Sequence, residues 1–309
     1  MTAVSTKVQP ILVCMTWRGG ARFERCLTSI ATNLHAFARV ILSVTSAEDS
    51  PDIMAARAFR DRFPSVEVIC TGQELPTMQH QAFWVDYLQR TGALPTDWIY
   101  WLAYDDEVRG TGIHNLLNET GSWPLREDTA YFGPWAMRHE SAETLWSGDP
   151  AAVLESWTSF PVEGPRRLPV MTWIRDQVAQ PTYIQMSGSI TPFRNFLDLR
   201  DKRPRKSGPM RIEMAIAAAG DTKFVEELAE PVSIIYGRSN SDRAAYGNAA
   251  HREDVHLVAW LARYIAQHPG SLPDFMRTLT TPAAQHLARL IRGSALPVEE
   301  WRVRGSVNP

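Results

Sequence analysis

Lysine, cysteine and long apolar runs are all scarce in this sequence. Its three cysteines, Cys14, Cys26 and Cys70, are scattered, and each lies in an apolar context. A disulfide framework and a zinc site both need a matched set of clustered cysteines, so we expect neither. No stretch of eighteen uninterrupted apolar residues is present, and the first nine residues lack the apolar core of a secretion signal. The sequence therefore predicts a protein of the reducing cytoplasm without a membrane-spanning segment.

An excess of positive charge is also missing. The 32 lysines and arginines are balanced by 34 aspartates and glutamates, which gives a formal net charge of -2 at pH 7. A chain with this balance has no general attraction to nucleic acid, so we expect no nucleic-acid partner, and any phosphate-binding site must be local. With 309 residues, of which 44% are hydrophobic, the chain can bury a large core as one large domain or two small ones.

Short β-prone runs alternate with stretches of helical spacing through the first part of the chain. The predicted strands lie at 11–15, 40–44, 66–70 and 98–104, and the predicted helices lie at 23–34, 52–63 and 77–89. Strands and helices in this order predict right-handed βαβ units with helices on both faces of a sheet. The sequence thus predicts an α/β fold built on a single Rossmann-like mixed sheet.

Three consecutive acids, Asp105, Asp106 and Glu107, follow the fourth predicted strand. Open α/β sheets bind ligands at the carboxyl ends of their strands. Mg²⁺ and Mn²⁺ are usually held there by one or two carboxylates together with phosphate oxygens of the substrate. A divalent-metal and diphosphate site is therefore one interpretation of this turn. A solvated turn after a strand is the other, and the acids alone favour neither.

The middle of the chain, at about 123–183, is rich in tryptophan and proline. Indole rings stack on sugar rings, but large aromatic residues most often fill core space, so we expect most of these tryptophans in the core and one or two at a cleft. Further strands are predicted at 129–135, 182–186 and 232–236. The glycine in Ser187-Gly188-Ser189 permits either a close backbone approach to a ligand or a tight turn.

Two polar segments of the second half carry further candidates. The segment at 200–209 is basic and interrupted by proline, which predicts a mobile loop before a short helix from Pro209 to Gly220. Glu213 lies in the early turns of that helix, where an acid can also serve only to complement the helix dipole. Arg238 lies in a polar loop at 237–243, which either closes over a diphosphate or is an ordinary connector.

Two amphipathic helices are predicted at 254–266 and 272–292. We expect the C-terminal extension 254–309 to pack as a helical cap on a domain formed by residues 1–253. Several arginines of these helices leave open a peripheral contact with an anionic membrane surface.

Three groups of residues together resemble the GT-A class of glycosyltransferases, and within it the large inverting family 2. They are Thr16-Trp17-Arg18 at the end of the first predicted strand, Tyr104-Asp105-Asp106-Glu107 at the place of the acidic DxD motif, and Arg211-Ile212-Glu213 at the place of the catalytic acid. The resemblance covers about residues 8–260, and Glu213 follows Asp106 by 107 positions, as expected for such enzymes.

The chain also departs from the family 2 pattern. Its second predicted strand does not end in the usual Asp-Asp-Gly-Ser, and Met214 follows Glu213 where an aspartate is usual. The typical Gln-x-x-Arg-Trp motif is absent, which argues against a processive synthase with membrane spans.

The resemblance implies a metal-dependent enzyme that uses Mn²⁺ or Mg²⁺ to move a sugar from a UDP-, GDP- or dTDP-sugar to a carbohydrate or lipid-linked saccharide acceptor. Asp106, which we expect at an exposed strand end, would be the direct metal ligand, and Asp105 would bind the ribose or the sugar. Glu213 would act as general base on the acceptor hydroxyl and so invert the anomeric configuration. The remaining candidates are Glu107 and either His251 or His256 at the metal, and Thr16, Arg18 and Arg238 at the donor.

Three alternatives to an inverting transferase stay open. A retaining GT-A enzyme would use the same acidic turn without Glu213 as a base. A sugar nucleotidyltransferase would need a glycine-rich basic loop after the first strand, of which residues 17–22 are a faint version. A non-catalytic nucleotide-sugar-binding protein would keep the fold, although the intact acids count against it.

The small share of lysine, at only four of 32 basic positions, points to a GC-rich bacterial genome. In such an organism, we expect a cytoplasmic transferase to serve the synthesis of a surface polysaccharide or glycolipid.

Overall fold

A computed structural model describes residues 8–75, 77–117, 121–133, 135–139, 156–158, 166–170, 172–173, 187–201 and 222–237. Its strands are β1 Ile11–Thr16, β2 Arg39–Val44, β3 Val66–Cys70, β4 Trp98–Ala103, β5 Glu107–Val108, β6 Thr129–Phe132, β7 Trp135–His139, β8 Ser156–Thr158, β9 Arg166–Pro169, β10 Ser189–Pro192, β11 Phe224–Glu227 and β12 Ser233–Gly237. Its α-helices are α1 Ala21–Asn33, α2 Pro51–Arg62, α3 Thr77–Arg90, α4 Gly110–Leu116 and α5 Phe193–Asp201, and a short 3₁₀ turn, Leu34–Ala36, follows α1.

The strands form two sheets. The larger sheet has eight strands in the order β3-β2-β1-β4-β10-β6-β11-β9. Its first four strands are parallel, whereas β10 runs antiparallel to both β4 and β6, and β9 runs antiparallel to β11. The smaller sheet has the order β5-β12-β7-β8. The architecture is therefore a mixed α/β sheet with a small second sheet beside it.

Helices cover both faces of the larger sheet, which explains why its central strands β1 and β4 are apolar along their whole length. Leu12 and Cys14 of β1 belong to the core under α1 and α2, where Phe23, Ile30 and Phe59 are buried. The alternate β1 residues belong to the core under α3 and α5, and they are Ile11, Val13 and Met15. Burial of every β1 side chain fixes the position of its carboxyl end, at which the candidate site lies.

The strands and helices predicted for the first part of the chain are confirmed as β1 to β4 and α1 to α3, with ends that differ by at most two residues. The strand predicted at 232–236 is also confirmed, as β12. The single strand predicted at 129–135 is wrong, because Thr129–Phe132 and Trp135–His139 belong to different sheets on either side of Gly133 and Pro134.

Other predictions are corrected or lie outside the described residues. The basic segment 200–209 was predicted as a loop from its first residue, but Arg200 and Asp201 form the last turn of α5. The strand predicted at 182–186, the helix from Pro209 to Gly220 and the C-terminal extension 254–309 lie outside the described residues. None of the helices within those residues is both long and apolar enough to cross a membrane.

The tryptophans of the middle segment that can be assessed are core residues. Trp123 is buried and donates from Nε1 to the carbonyl of Ala36 at 2.7 Å. Trp173 is also buried and stacks on Phe132, with ring centroids 5.1 Å apart. The core interpretation is therefore confirmed for both residues.

Two of the cysteines, which are scattered in the sequence, meet in the core. The Sγ atoms of Cys14 and Cys26 are 3.7 Å apart, and both residues are buried and free. Burial raises the pKa of the Cys26 thiol well above its usual range. A buried, protonated thiol is a poor nucleophile, so we interpret this pair as packing between β1 and α1.

Acid destabilisation is expected to depend on His80, which lies on α3 and is 2% exposed. Its Nε2 lies 2.8 Å from Oγ of Ser43 on β2, and burial lowers the pKa of His80 to about 4. The unfolded chain binds a proton near pH 6.5, whereas the folded chain does so only near pH 4. The free energy of unfolding should therefore be unaffected by His80 above pH 6.5 and should fall as the pH drops from 6.5 to 4, by about 2–3 kcal/mol.

Urea unfolding of wild type and His80→Gln at pH 7.5 and 4.5 measures this contribution, because glutamine retains a polar atom for Ser43 but does not titrate. The His80→Gln protein should lose less stability between the two pH values than wild type. The exposed His35 provides the matched control, His35→Gln. Equal pH dependence in wild type and both variants would contradict the assignment.

Candidate functional site

The acidic turn and the loop after β1 lie side by side at the carboxyl edge of the larger sheet. β1 and β4 are parallel neighbours, with Met15 paired to Ala103. The N–H of Tyr104 donates to the carbonyl of Met15 at 3.1 Å, and the N–H of Thr45 donates to the carbonyl of Thr16 at 3.0 Å. Three chain segments, the ends of β1, β2 and β4, therefore meet at the edge where α/β sheets bind ligands.

The loop from β1 to α1 is held by Asp52, a residue that the sequence analysis did not single out. Its buried carboxylate accepts hydrogen bonds from the N–H groups of Gly19 at 2.7 Å and Gly20 at 3.0 Å. Gly20 has a φ of 52°, in the left-handed region that glycine adopts without strain. Asp52 follows Ser50 and Pro51 at the start of α2, where an acid is usually read as a helix-dipole partner.

Arg18 lies on the rim of this edge, and its side chain is 68% exposed. Its guanidinium donates two hydrogen bonds to the Glu74 carboxylate, at 2.9 and 3.1 Å, and lies 5.3 Å from the centre of the Trp17 ring. The hydrogen bond with Glu74 raises the pKa of Arg18 and lowers the pKa of Glu74. A diphosphate that binds Arg18 must therefore compete with Glu74.

Thr16 occupies the last position of β1 and is 1% exposed. Its hydroxyl makes no hydrogen bond in the described structure. Its methyl group would lie 3.3 Å from a Cβ atom built on Gly19. Thr16 thus forms part of the floor between β1 and the loop that follows it, and its predicted contact with a donor stays a prediction.

The three acids of the turn differ in exposure. Asp105 is half-buried, whereas Asp106 is only 3% exposed. The N–H of Asp106 donates to the carbonyl of Ala103 at 3.1 Å, and its Oδ1 accepts from the N–H of Tyr236 on β12 at 3.4 Å. The expectation that Asp106 lies at an exposed strand end is therefore wrong, because β12 of the small sheet covers it.

Glu107 is bound by two residues that the sequence analysis did not single out. Nε of Arg25 on α1 lies 3.1 Å from Oε1 of Glu107, and the hydroxyl of Tyr236 donates to the same oxygen. The guanidinium of Arg25 also lies over the ring of Tyr236, 3.4 Å from its centre, and donates to the carbonyl of Asp105 at 3.2 Å. We call Arg25, Glu107 and Tyr236 the arginine–tyrosine cluster.

The turn at Ser187 and Gly188 completes the described part of the site. Oγ of Ser187 accepts from the N–H of Ala103 at 3.0 Å, and its carbonyl accepts from Oγ of Ser233 at 2.7 Å. Gly188 has a φ of 84°, and a Cβ atom there would lie 2.6 Å from Oγ of Ser233. Of the two interpretations of this glycine, the tight turn is the one that these contacts support.

Four predicted site residues, Glu213, Arg238, His251 and His256, lie outside the described residues. In the part of the chain that is described, no group of three histidine, cysteine, aspartate or glutamate side chains is placed to hold a metal ion. The acidic turn still fits Mg²⁺ or Mn²⁺, because these ions commonly take only one or two protein carboxylates and complete their shell with water and phosphate oxygens.

No protein-family model matches the chain, and no curated protein matches its sequence. Solved structures with the same fold do match. One is the mannosyltransferase PcManGT from Pyrobaculum calidifontis in complex with GDP-Man and Mn²⁺. The match covers 96% of this chain and 79% of the mannosyltransferase chain, with 10% identity and a TM-score of 0.51. GalNAc-T7 with UDP, GalNAc and Mn²⁺ matches over 93% of this chain, with 11% identity and a TM-score of 0.50. S. aureus TarS matches over 92% of this chain, with 10% identity and a TM-score of 0.47.

The chain spans about half the length of two of these proteins, 49% of TarS and 55% of GalNAc-T7. At these identities the matches establish the fold and not the activity. The predicted fold class is confirmed: the chain has the GT-A fold of nucleotide-sugar glycosyltransferases, with a mixed sheet and helices on both of its faces.

Proposed function

We propose that this protein is a metal-dependent glycosyltransferase that moves a sugar from a nucleoside-diphosphate sugar to a hydroxyl acceptor. The observation that carries the proposal is the position of Asp105 and Asp106, at the carboxyl end of β4 and beside the end of β1 in a GT-A fold. Two structures with this fold contain Mn²⁺ together with GDP-Man or UDP, which supports a nucleotide-sugar donor and a divalent ion.

The difference in exposure between the two aspartates suggests a different role for each. Asp105 is half-buried at the edge, whereas Asp106 is covered by β12 and accepts a hydrogen bond from the N–H of Tyr236. We therefore assign the direct contact with the metal, which would in turn hold the diphosphate, to Asp105, and we assign to Asp106 the role of fixing the turn. This assignment differs from the one that the resemblance implied, in which Asp106 is the metal ligand and Asp105 binds the ribose or the sugar.

The remaining donor contacts follow from the segments that meet at this edge. Thr16 and Arg18 border the donor on the β1 side, and Arg238 follows β12 directly in the sequence. A bound Mn²⁺ or Mg²⁺ would neutralise the negative charge that the leaving diphosphate develops. Arginine side chains at the edge would stabilise the same charge in a water-poor cleft.

Glu213 is the proposed general base. It would accept the proton of the acceptor hydroxyl while the oxygen attacks the anomeric carbon from the face opposite the diphosphate, which inverts the configuration. His251 or His256 would complete the metal site. A lipid-linked saccharide at the inner face of a bacterial membrane is the proposed acceptor, with the extension 254–309 as a cap beside it.

A binding panel tests the proposal. UDP-, GDP- and dTDP-sugars are titrated into the protein by calorimetry, with Mn²⁺, with Mg²⁺ and with a chelator. We expect one nucleotide base to bind in the presence of a divalent ion and to bind much more weakly with the chelator. Binding of nucleoside triphosphates in preference to nucleotide sugars would favour a nucleotidyltransferase instead.

A further inference from the structure

Arg25 and Tyr236 of the arginine–tyrosine cluster together contact all three acids of the turn. Arg25 donates to the main-chain carbonyl of Asp105 at 3.2 Å, and the N–H of Tyr236 donates to the Asp106 carboxylate at 3.4 Å. Both side chains then meet on Oε1 of Glu107. The turn is therefore held from α1 on one side and from β12 on the other.

The cluster is largely shielded from water. The side chains of Arg25 and Glu107 are 23% and 13% exposed. A planar guanidinium can pair with a carboxylate and stack on an aromatic ring at the same time, which a lysine cannot do. Since screening is weak at such partly buried positions, the Arg25 charge also offsets part of the repulsion among three adjacent carboxylates.

We propose that Arg25 and Tyr236 are positioning residues, which hold the acidic turn in the geometry that binds the metal and the diphosphate. The proposal rests on the function proposed above and adds residues that neither the motif nor the fold assigns. Small displacements of a ligand-binding carboxylate cost much affinity, so groups that fix such a carboxylate typically contribute 10-fold to 100-fold to metal affinity or activity. Neither residue needs to contact the donor itself.

Tyr236→Phe is the sharpest variant, because it removes only the hydroxyl that binds Glu107. The ring under Arg25 and the N–H that binds Asp106 are both retained. We expect the dissociation constant for UDP or GDP with Mn²⁺ to rise by about 10-fold to 100-fold. The concentration of Mn²⁺ needed for half-maximal binding should rise in the same variant.

The chain offers a matched control at the opposite edge of the same sheet. Arg39 binds the Glu67 carboxylate through two hydrogen bonds of 2.8 Å, and the Tyr87 hydroxyl donates to it at 2.7 Å. This second arginine, glutamate and tyrosine group lies at the amino end of β2, away from the acidic turn. Tyr87→Phe removes an equivalent hydrogen bond and should leave nucleotide affinity unchanged.

A double-mutant cycle tests whether the two positioning residues act through Glu107. Arg25→Met removes the charge and keeps the apolar stem, and it should weaken nucleotide binding at least as much as Tyr236→Phe. If both act through Glu107, the double variant should lose less affinity than the sum of the single losses. Arg25→Lys should restore only part of the affinity, because an ammonium lacks the planar fork.

Calorimetry and thermal melting of these variants distinguish a positioning role from a purely structural one. Weaker binding in Tyr236→Phe but not in Tyr87→Phe, with similar changes in melting temperature, supports the proposal. Equal affinity in both variants, or a loss that merely tracks the melting temperature, overturns it while leaving the proposed function intact. If the wild type binds no nucleotide with either metal, the proposed function fails, and this proposal fails with it.

Discussion

Replacing Glu213 by glutamine is expected to lower kcat by a factor of about 10² to 10⁴ and to leave donor affinity nearly unchanged. This is the usual contribution of a positioned proton acceptor, and glutamine removes the basic oxygen while keeping the shape of the side chain. Steady-state transfer rates and calorimetric donor titrations measure the two effects separately. An exposed acid outside the site, Glu127, provides the control variant Glu127→Gln.

The anomeric configuration of the product completes this test. An inverting enzyme gives the configuration opposite to that of the donor, which proton NMR of the product reports. Transfer by Glu213→Gln at nearly the wild-type rate would show that the base lies elsewhere. Retention of configuration would favour the retaining mechanism, which needs no base at this position.

The second large effect is expected at Asp105. Asp105→Asn should weaken metal-dependent nucleotide binding by at least about 100-fold, since the neutral amide oxygen lacks the negative charge with which a carboxylate holds Mg²⁺ or Mn²⁺. Because Asp105 is only half-buried, the melting temperature of the Asp105→Asn protein should differ little from that of wild type. Asp106→Asn keeps an oxygen for the N–H of Tyr236 and should retain most of the affinity. Calorimetry with Mn²⁺ on both variants measures this, and the reverse outcome would make Asp106 the direct ligand.

Replacing Asp106 by alanine should instead lower the stability of the fold. Asp106→Ala removes a buried hydrogen-bond acceptor, and the loss of such a partner costs about 1–3 kcal/mol. The lower stability of this variant would mix with any loss of activity. The asparagine variants are therefore the ones that separate binding from folding.

The first half of the larger sheet could be predicted because each of its strands and helices has a recognisable pattern in its own short stretch of sequence. Short β-prone runs and helical spacing in 11–90 correspond to β1, α1, β2, α2, β3 and α3. The acids after β4 could be placed at the carboxyl edge for the same reason, since the parallel strands of βαβ units all end at one edge of the sheet.

The small sheet could not be predicted in this way, because its strands pair across long stretches of chain. β5 has only two residues, Glu107 and Val108, and it pairs with β12 more than a hundred positions later. That pairing buries Asp106 and brings Tyr236 against Arg25 and Glu107. Periodic patterns in the sequence do not indicate contacts between such distant segments. The exposure of Asp106 was therefore predicted wrongly, and the arginine–tyrosine cluster was not predicted.

A weaker signal existed for Asp52. It lies two positions after the N-cap Ser50, where its charge complements the helix dipole. Because this role alone accounts for an acid at that position, its second role as an acceptor for the β1–α1 loop was not predicted. The two glycines whose N–H groups it binds, Gly19 and Gly20, stand next to each other in the loop after β1. Glycines lack a Cβ, so a pair of them after a strand lets an acceptor approach both backbone N–H groups closely.

The most direct measurement of the central claim is the release of nucleoside diphosphate from a panel of nucleotide sugars, with and without Mn²⁺. The proposed function predicts release from at least one sugar nucleotide, dependent on the divalent ion and lost in Asp105→Asn. Release of pyrophosphate from a nucleoside triphosphate and a sugar phosphate, or no turnover of any nucleotide sugar with either metal, would contradict it.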